Sequence, residues 1–357
     1  MIAVTGATGF LGREIVRAAL RQGQGPVRCL VRPGTPPARI RAAGLDAPGV
    51  EIVACRLEDA RRVASALAGA GILYHAAAAK AGSPAALVAS TVVASEAVYR
   101  AALEARVDRL VLVSSFATVG VARLRRNAVV DEAAPLEAHP ERRDAYAFSK
   151  QRQEALAWRF RAERGLPLVV LRPGFVFGPG QEILGTRIGL ALFGAFLHLG
   201  GKNLVPLTFV ENCAEAIALA GTAAGVVGEA LHLVDDELPT SRALLARYRR
   251  EVAPLRVVPL PYPALRALSR LNAWYSARTD AHLPPVFTPY KVDSLWRPQR
   301  YSNAKAKALL GWSPRVPMRE ALDRTFAALS SRASAAPRPA AAPAERRAAA
   351  ERAEATP

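Results

Sequence analysis

The first twenty residues, MIAVTGATGFLGREIVRAAL, predict the element around which the fold is built. Residues 2–4 form a short apolar run typical of a buried strand, and apolar residues recur at helical spacing after Gly12. Three glycines lie between strand and helix, with the spacing G-x-x-G-x-x-G. Gly6 permits a tight turn, Gly9 lets the backbone approach a pyrophosphate, and Gly12 lets the helix pack on the strand.

This strand, glycine turn and helix predict a dinucleotide-binding site. The free N–H groups at the start of the helix face the phosphates of such a ligand. An ordinary loop before a helix is the alternative, but the strand in front and the helix behind favour the binding site. The predicted cofactor-binding residues of this segment are Gly6, Thr8, Gly9, Phe10, Leu11 and Gly12.

Strands and helices alternate along the chain after this segment. Apolar runs at 27–31, 50–55, 71–75 and 109–113 read as strands, with helical segments at 60–67 and about 84–105 between them. Such alternation predicts βαβ units and a doubly wound parallel sheet of the Rossmann type, whose ligands bind at the carboxyl ends of the strands. The predicted fold class is therefore α/β.

Two further groups of residues at predicted strand ends point to the same ligand. Arg32 follows the second strand, where an arginine can hold a 2′-phosphate and an acidic residue would bind the ribose hydroxyl, so Arg32 favours NADP over NAD. Ala76 and Ala77 follow the fourth strand, and their small side chains allow the backbone to approach a ligand closely. His75 precedes them; we interpret it as a structural imidazole rather than a catalytic base.

A tyrosine and a lysine four residues apart form the candidate catalytic pair. Tyr146 and Lys150 lie on one helix face in the segment Tyr-Ala-Phe-Ser-Lys. A lysine ammonium within about 4–6 Å of a phenol favours its ionised form, which would make Tyr146 an acid and base near neutral pH. A second copy of the motif, at Tyr301 and Lys305, opens a segment near the C-terminus and is interpreted as structural.

Four motifs taken in order resemble the extended short-chain dehydrogenase/reductases, also called NAD-dependent epimerase/dehydratases. They are GATGFLG, VSSFATVG, YAFSK and LRPGFVFGPG, and the resemblance covers Met1 to about Leu329. It implies that Tyr146 donates or accepts the proton, that Lys150 holds the nicotinamide ribose and lowers the tyrosine pKa, and that Ser115 hydrogen-bonds the reacting oxygen. The family's register selects Ser115 over Ser114.

The resemblance also places Pro173 and Gly174 beside the nicotinamide ring. The family's dehydratases carry Asp-Glu after the catalytic threonine, whereas Phe116 and Ala117 stand here and cannot transfer protons. The sugar-nucleotide enzymes hold the substrate diphosphate with an arginine where Val205 stands. These departures disfavour dehydration and favour a bulky, mostly apolar substrate of the hydroxysteroid or dihydroflavonol kind.

The function predicted from the sequence is thus NAD(P)-dependent hydride transfer at a secondary alcohol or ketone. A nucleotide-sugar epimerase that retains NAD is the alternative among enzymes, and a cofactor-binding redox sensor or scaffold is the alternative without turnover. We predict a Rossmann domain at residues 1–178, a substrate-binding region at 179–330 with segments that return to the sheet, and a disordered tail rich in Ala, Pro and Arg at 331–357.

Charge and cysteine content limit the partners and the compartment. The net charge of +18 is carried mainly by arginines scattered through the chain, without a nucleic-acid motif, so we expect no nucleic-acid partner and no metal. Peripheral contact with an anionic membrane through residues 188–199 and 265–271 is an expectation beside the simpler reading of both as core. Three cysteines predict buried, reduced thiols in a cytoplasmic protein, and the family implies a homodimer.

Overall fold

The structure, a computed structural model, describes residues 1–79, 82–192, 194–279 and 288–335, without the side chains of residues 333 and 335. The predicted strand, glycine turn and helix at the N-terminus are present. The strands are β1 Ile2–Thr5, β2 Val27–Val31, β3 Val50–Ala54, β4 Ile72–His75, β5 Arg109–Val113, β6 Val129–Val130, β7 Leu168–Pro173, β8 Phe175–Phe177, β9 Gly189–Leu192, β10 Ala195–Gly200, β11 Leu207–Phe209, β12 Ala230–Leu233, β13 Val257–Pro261 and β14 Arg300–Tyr301.

The described helices flank these strands. They are α1 Phe10–Arg21, α2 Pro37–Ala42, α3 Ala60–Leu67, α4 Pro84–Val88, α5 Ala94–Glu104, α6 Ala145–Arg164, α7 Val210–Thr222, α8 Ser241–Glu251, α9 Tyr262–Arg278, α10 Pro289–Trp296, α11 Ala304–Leu310 and α12 Met318–Ala335.

A seven-stranded parallel sheet in the order β12-β7-β5-β4-β1-β2-β3 confirms the predicted fold class. Its inner strands are buried on both faces, which explains why they read as continuous apolar runs. The chain runs outward from β1 in one direction to β3 and in the other to β12. The order therefore reverses between β1 and β4, and at such a point parallel sheets bind ligands at their carboxyl edge.

Two apolar layers cover the sheet. On one face α1 and α7 pack through residues such as Ile15, Val16 and Ile217. On the other face α3, α5 and α6 contribute residues such as Val63 and Phe160. Cys29, Cys55 and Cys213 are free and buried, as predicted, and burial raises the pKa of the Cys29 thiol to about 12.

The helix predicted from about residue 84 to 105 contains a π-helical turn, Ala89–Val93, between α4 and α5. Among the described residues, Pro84–Glu104 is the one helix long and apolar enough to cross a membrane by length and composition. Half of its apolar window is buried, and α5 contacts α3 and α6. It therefore packs as a core helix of the parallel-sheet domain.

Beyond residue 178 the chain builds a second group of elements. A three-stranded sheet has the order β13-β10-β9, and α9 and α10 pack on it. Strand β12 returns to the main sheet beside β7. The domain division at residue 178 stays a prediction. Helix α12 runs to Ala335, so residues 331–335 are helical, contrary to the predicted tail, and the tail from residue 336 lies outside the described residues.

Candidate active site

The glycine turn after β1 brings three backbone segments into close contact. Gly6 has a φ of +73°, and a Cβ there would lie 2.8 Å from the backbone nitrogen of Ala77, which follows β4. A Cβ on Gly12 would lie 2.0 Å from the carbonyl oxygen of Gly6. Gly6 and Gly12 therefore have to be glycine for the first helix to sit against the ends of β1 and β4.

Gly9 differs from its neighbours because it borders open space. It is the N-cap of α1, and no side chain caps the helix. A Cβ on Gly9 would meet one atom within 4 Å, the Gly6 carbonyl oxygen at 3.1 Å. The start of α1, with partly exposed Thr8, Phe10 and Leu11, therefore fits a pyrophosphate approaching the backbone.

The other predicted cofactor residues lie along the same carboxyl edge. Arg32 is exposed directly after β2, the neighbour of β1. Ala76 and Ala77 follow β4 and touch the Gly6 turn. Pro173 ends β7, and a Cβ on Gly174 would lie 2.2 Å from the carbonyl oxygen of Pro206. The sheet topology thus brings together residues that are far apart in the sequence.

Ser115 and Tyr146 meet at the end of β5. Asp144 caps α6 by accepting a hydrogen bond from the Ala147 amide at 2.7 Å, which fixes Tyr146 in the first turn. Ser115 begins a 3₁₀ turn, and its side-chain oxygen accepts a hydrogen bond from the Ala117 amide at 3.1 Å. The Ser115 side chain lies near enough to the Tyr146 phenol to lower its pKa. The two side chains can therefore act on one substrate oxygen.

Ser114 has a different environment. Its hydroxyl donates to the Glu154 carboxylate at 2.5 Å, and Arg172 donates to the same carboxylate at 2.5 and 3.0 Å. Burial opposes ionisation of Glu154, but the charge and hydrogen bonds of Arg172 hold its pKa below the usual value. Ser114 is therefore held in a buried ion-pair cluster, whereas Ser115 faces Tyr146.

Lys150 lies one helical turn after Tyr146 and is buried. Its ammonium donates to the Val113 carbonyl oxygen at 2.7 Å and to the side-chain oxygen of Gln153. Burial raises the pKa of Tyr146, the nearby Ser115 side chain lowers it, and the charge of Asp144 raises it again, so the net pKa lies above its ordinary value. The lowering of the Tyr146 pKa by Lys150, which the family resemblance implies, stays a prediction.

A family comparison agrees with this geometry. The model of the NAD dependent epimerase/dehydratase family matches residues 2–233. The chain belongs to this family. It is an enzyme of the extended short-chain dehydrogenase/reductase type, as its motifs predicted.

Curated relatives cover almost the whole chain. A ketoreductase of Stigmatella aurantiaca acting on 4-hydroxy-2-methyl-3-oxo-4-farnesyl-3,4-dihydroquinoline-1-oxide is 30% identical over 90% of this chain and 94% of its own. The decarboxylating sterol-4-alpha-carboxylate 3-dehydrogenase of Bos taurus is 29% identical over 90% of both chains. The 3beta-hydroxysteroid-dehydrogenase/decarboxylase isoform 1 of Arabidopsis thaliana is 27% identical over 92% of this chain and 79% of its own.

Solved structures share the fold. The crystal structure of gox2253 superposes with a TM-score of 0.75 at 25% identity, covering 93% of this chain and 98% of that one. The NAD complex of UDP-glucuronic acid 4-epimerase from Bacillus cereus superposes with a TM-score of 0.68 at 17% identity, covering 93% and 99%.

In this protein, a buried network of polar side chains connects Lys150 to the glycine turn. The Gln153 amide donates to Ser95 at 2.7 Å, and Ser95 lies 2.8 Å from one ring nitrogen of His75. The other ring nitrogen lies 2.7 Å from the Thr5 hydroxyl, whose oxygen accepts from the Ala77 amide at 3.4 Å. Gln153 and Ser95 carry no signal in the sequence, because only the fold brings them beside Lys150 and His75.

The hydrogen-bonding partners of His75 and its burial both suit a neutral ring. Ser95 donates to the Thr91 carbonyl oxygen at 2.5 Å, so its oxygen can accept a proton from His75 Nε2. His75 Nδ1 then accepts from the Thr5 hydroxyl. Burial, followed by the charge of Lys150, lowers the pKa of His75 to about 3. The geometry therefore gives His75 a structural place in the site.

The second tyrosine motif lies near the site without joining it. The Tyr301 ring packs edge-on at 5.7 Å from that of Phe116, the residue after Ser115. Burial raises the pKa of Tyr301, and a hydrogen bond with Arg187 opposes that shift. Val205, where sugar-nucleotide enzymes carry an arginine, is 1% exposed and packs in an apolar cluster with Phe196.

Replacing Gly9 and replacing Gly12 by alanine should have different effects. Gly12→Ala should destabilise the fold by about 1–3 kcal/mol, because its Cβ overlaps a backbone carbonyl. Gly9→Ala should cost less stability than Gly12→Ala and weaken dinucleotide binding, because its Cβ meets only the Gly6 carbonyl oxygen, at 3.1 Å, and otherwise enters the open side of the turn. Urea unfolding and cofactor titration measure the two effects. Equal losses of stability in both variants would contradict this assignment.

His75 should make the fold sensitive to acid. A free imidazole has a pKa near ~6.5, so the unfolded chain binds this proton first as pH falls, and the folded state loses stability between there and about pH 3. The loss from His75 between pH 7.5 and 5 should be roughly 2 kcal/mol. Burial also lowers the pKa of His232 to about 3, so part of the pH dependence of stability should remain without His75. Urea unfolding at both pH values should show that His75→Gln reduces the loss by the contribution of His75, whereas His139→Gln, at an exposed histidine, leaves the loss unchanged.

Proposed function

We propose that this enzyme transfers hydride reversibly between a nicotinamide cofactor and a secondary alcohol or ketone of a bulky, mostly apolar substrate. The observation that carries the proposal is the packing of the 3₁₀ turn that Ser115 begins against α6, the helix of Tyr146 and Lys150, at the carboxyl edge of the sheet. Lys150 lies one turn further along the same helix, and the glycine turn borders the same edge. A nicotinamide, when bound, supplies or accepts the hydride ion.

Side chains of this protein supply the proton that the reduction of a carbonyl requires. In the reducing direction, the Tyr146 phenol donates its proton to the carbonyl oxygen of the substrate as that oxygen gains negative charge. Ser115 hydrogen-bonds the same oxygen and orients it. The raised pKa of Tyr146 keeps the phenol protonated at neutral pH, which suits proton donation. The buried ammonium of Lys150 favours the phenolate that remains.

The apolar character of the substrate is supported by two positions and by the relatives. Val205 is buried at the position where sugar-nucleotide enzymes carry an arginine, so the diphosphate contact of that residue is missing. Phe116 is apolar and follows Ser115. The names of the relatives include a farnesylated quinoline oxide and sterols, which are large and mostly apolar. Together these favour a lipid-like ketone or alcohol.

Two other functions remain as rivals. A nucleotide-sugar epimerase would retain NAD through purification and turn over without added cofactor. A redox sensor or scaffold would bind the cofactor without turnover, and it would not need a serine close to a tyrosine and a buried lysine. Assays of the purified protein with and without added NADP(H) or NAD(H) separate the three.

We further propose that NADP is preferred over NAD, that the chain acts in the cytoplasm and that it forms a homodimer. The preference is supported by the exposed Arg32 beside the end of β1. The compartment is supported by three free, buried cysteines. The dimer contact would use α5 and α6 with the π-helical turn, where Val93 is 52% exposed.

Replacing the candidate acid tests the reaction directly. Tyr146→Phe should lower kcat by about 10²–10⁴-fold, because the phenyl ring cannot donate a proton, while the affinity for cofactor is retained. Stopped-assay turnover and cofactor titration measure these quantities. Tyr301→Phe alters the second copy of the motif and should keep most of the activity. Unchanged turnover in Tyr146→Phe would remove this residue from the mechanism.

A charge reversal at the adenosine end tests the cofactor. Arg32→Asp should shift the ratio of kcat/KM for NADP over NAD towards NAD, because the new carboxylate repels a 2′-phosphate and accepts a hydrogen bond from a 2′-hydroxyl. Arg319→Asp makes the same change of charge at an exposed position of α12 and should leave the ratio unchanged. If Arg32→Asp leaves the ratio as it was, the assignment of Arg32 is wrong.

A further inference from the structure

Helix α9 exposes four large apolar residues, and two of its three buried residues are serines. Leu268, Leu271, Trp274 and Tyr275 are 52, 59, 51 and 44% exposed. Its buried residues are Leu265, Ser269 and Ser276. A surface helix of a soluble domain normally turns its apolar stripe towards the core and its polar residues to water. The orientation of α9 is therefore the reverse of the usual one.

The exposed apolar surface includes the sheet on which α9 packs. Leu197 is paired with Leu190 on β9 and with Val258 on β13, so these three side chains share one face of the sheet. Leu190, Leu197 and Leu260 of that face pack in the apolar cluster of Leu265 on α9. Leu192 and Val258 alternate onto the same face and are 52 and 49% exposed. We call Leu192, Val258, Leu268, Leu271, Trp274 and Tyr275 together the α9 surface.

The α9 surface lies in basic segments of the chain, although Arg266 of α9 pairs with Asp293 of α10 at 3.1 Å. Residues 252–279 contain four arginines and no Asp or Glu, and residues 183–210 contain Arg187 and Lys202 and also no Asp or Glu. Arg256, Arg270 and Arg278 are exposed, and the Arg278 guanidinium lies 4.6 Å from the centre of the Trp274 ring. The α9 surface thus combines large apolar side chains with positive charge.

Large apolar side chains together with positive charge favour one kind of binding partner for the α9 surface. In a symmetric contact with a second copy, the same arginines of both chains would come together and repel. An anionic lipid surface instead attracts the arginines, accepts the leucines into its acyl boundary, and suits tryptophan and tyrosine at the headgroup level. We propose that the α9 surface docks on an anionic membrane, with α9 lying in the interface. The proposal does not depend on the reaction.

Vesicle binding by the full-length protein tests the proposal. The probes are vesicles of phosphatidylcholine alone and of phosphatidylcholine mixed equally with phosphatidylglycerol, and cosedimentation measures the bound fraction. We expect at least about tenfold stronger binding to the anionic vesicles, weakened by added salt. Equal binding to both vesicles, or none to either, would overturn the proposal.

Substitutions assign the binding to the α9 surface. Leu271→Glu places a charge at its centre and should weaken vesicle binding by at least about tenfold, because a charged side chain resists entry into the acyl boundary. Val227→Glu makes a similar change at an exposed apolar residue elsewhere and should bind as the unaltered protein does. Arg270→Glu combined with Arg278→Glu should abolish the preference for anionic vesicles. Wild-type binding by Leu271→Glu would refute the assignment.

The fluorescence of Trp274 gives a readout at the surface itself. Trp296 and Trp312 are buried, and Trp158 is half-buried on α6, away from the α9 surface. A blue shift on adding anionic vesicles should therefore come from Trp274 and should disappear in Trp274→Phe. Lipids brominated near the headgroup should quench the same signal. A shift that persists unchanged in Trp274→Phe would contradict the proposal. So would a lipid-free dimer that Leu271→Glu converts to monomer, because the α9 surface would then be a contact between copies.

Discussion

The contact of Gly12 with the Gly6 carbonyl oxygen is the constraint on which the site depends. No side chain fits between them, because even a Cβ would lie 2.0 Å from that oxygen. The first helix therefore begins against the end of β1, and its uncapped amides lie at the carboxyl edge of the sheet. The turn also meets the backbone after β4 at Ala77. This close packing of backbone thus positions both the candidate phosphate site and the Ala77 backbone beside it.

The electrostatics of the site follow from burial more than from the Tyr146–Lys150 spacing. Helical spacing places both residues on one face, but the Lys150 ammonium bonds to the Val113 carbonyl and to Gln153. Tyr146 lies near the Ser115 side chain, and its pKa is raised. The protein by itself therefore holds a protonated phenol one helical turn from the Lys150 ammonium. Hydrogen bonds to uncharged, buried groups set the position of that ammonium.

Sequence periodicity was sufficient for the elements whose burial is regular. The strands Val27–Val31 and Arg109–Val113 and the helix Ala60–Leu67 have the predicted bounds, because each is a short apolar run or a clear amphipathic stripe between turns. The π-helical turn Ala89–Val93 and the sheet of β9, β10 and β13 could not be predicted in this way. They depend on contacts with α6 and α9, which lie far away in the sequence.

In the candidate site, too, some residues could be identified from local sequence motifs, whereas others are brought together only by the tertiary fold. Strand ends and the glycine spacing identified residues that the parallel topology then gathers at one edge, since every such strand ends on the same side. The choice between Ser114 and Ser115 rested on motif register, and the structure adds a physical reason: Glu154 and Arg172 hold Ser114. Gln153 lies three residues after Lys150, and nothing in that spacing distinguishes a lysine partner from an ordinary buried glutamine.

The net charge alone did not indicate a partner, because it does not say where on the surface the charges lie. The excess of 18 positive charges is spread over the whole chain, so composition alone points to no surface. The structure shows that two segments free of acidic residues, 183–210 and 252–279, contribute the strands and the helix of the α9 surface. The absence of Asp and Glu from these segments makes the local electrostatic potential more positive, as additional arginines would. Helix α9 exposes Leu268 and Leu271 together with Arg270 and Arg278, so apolar area and positive charge lie on the same helix.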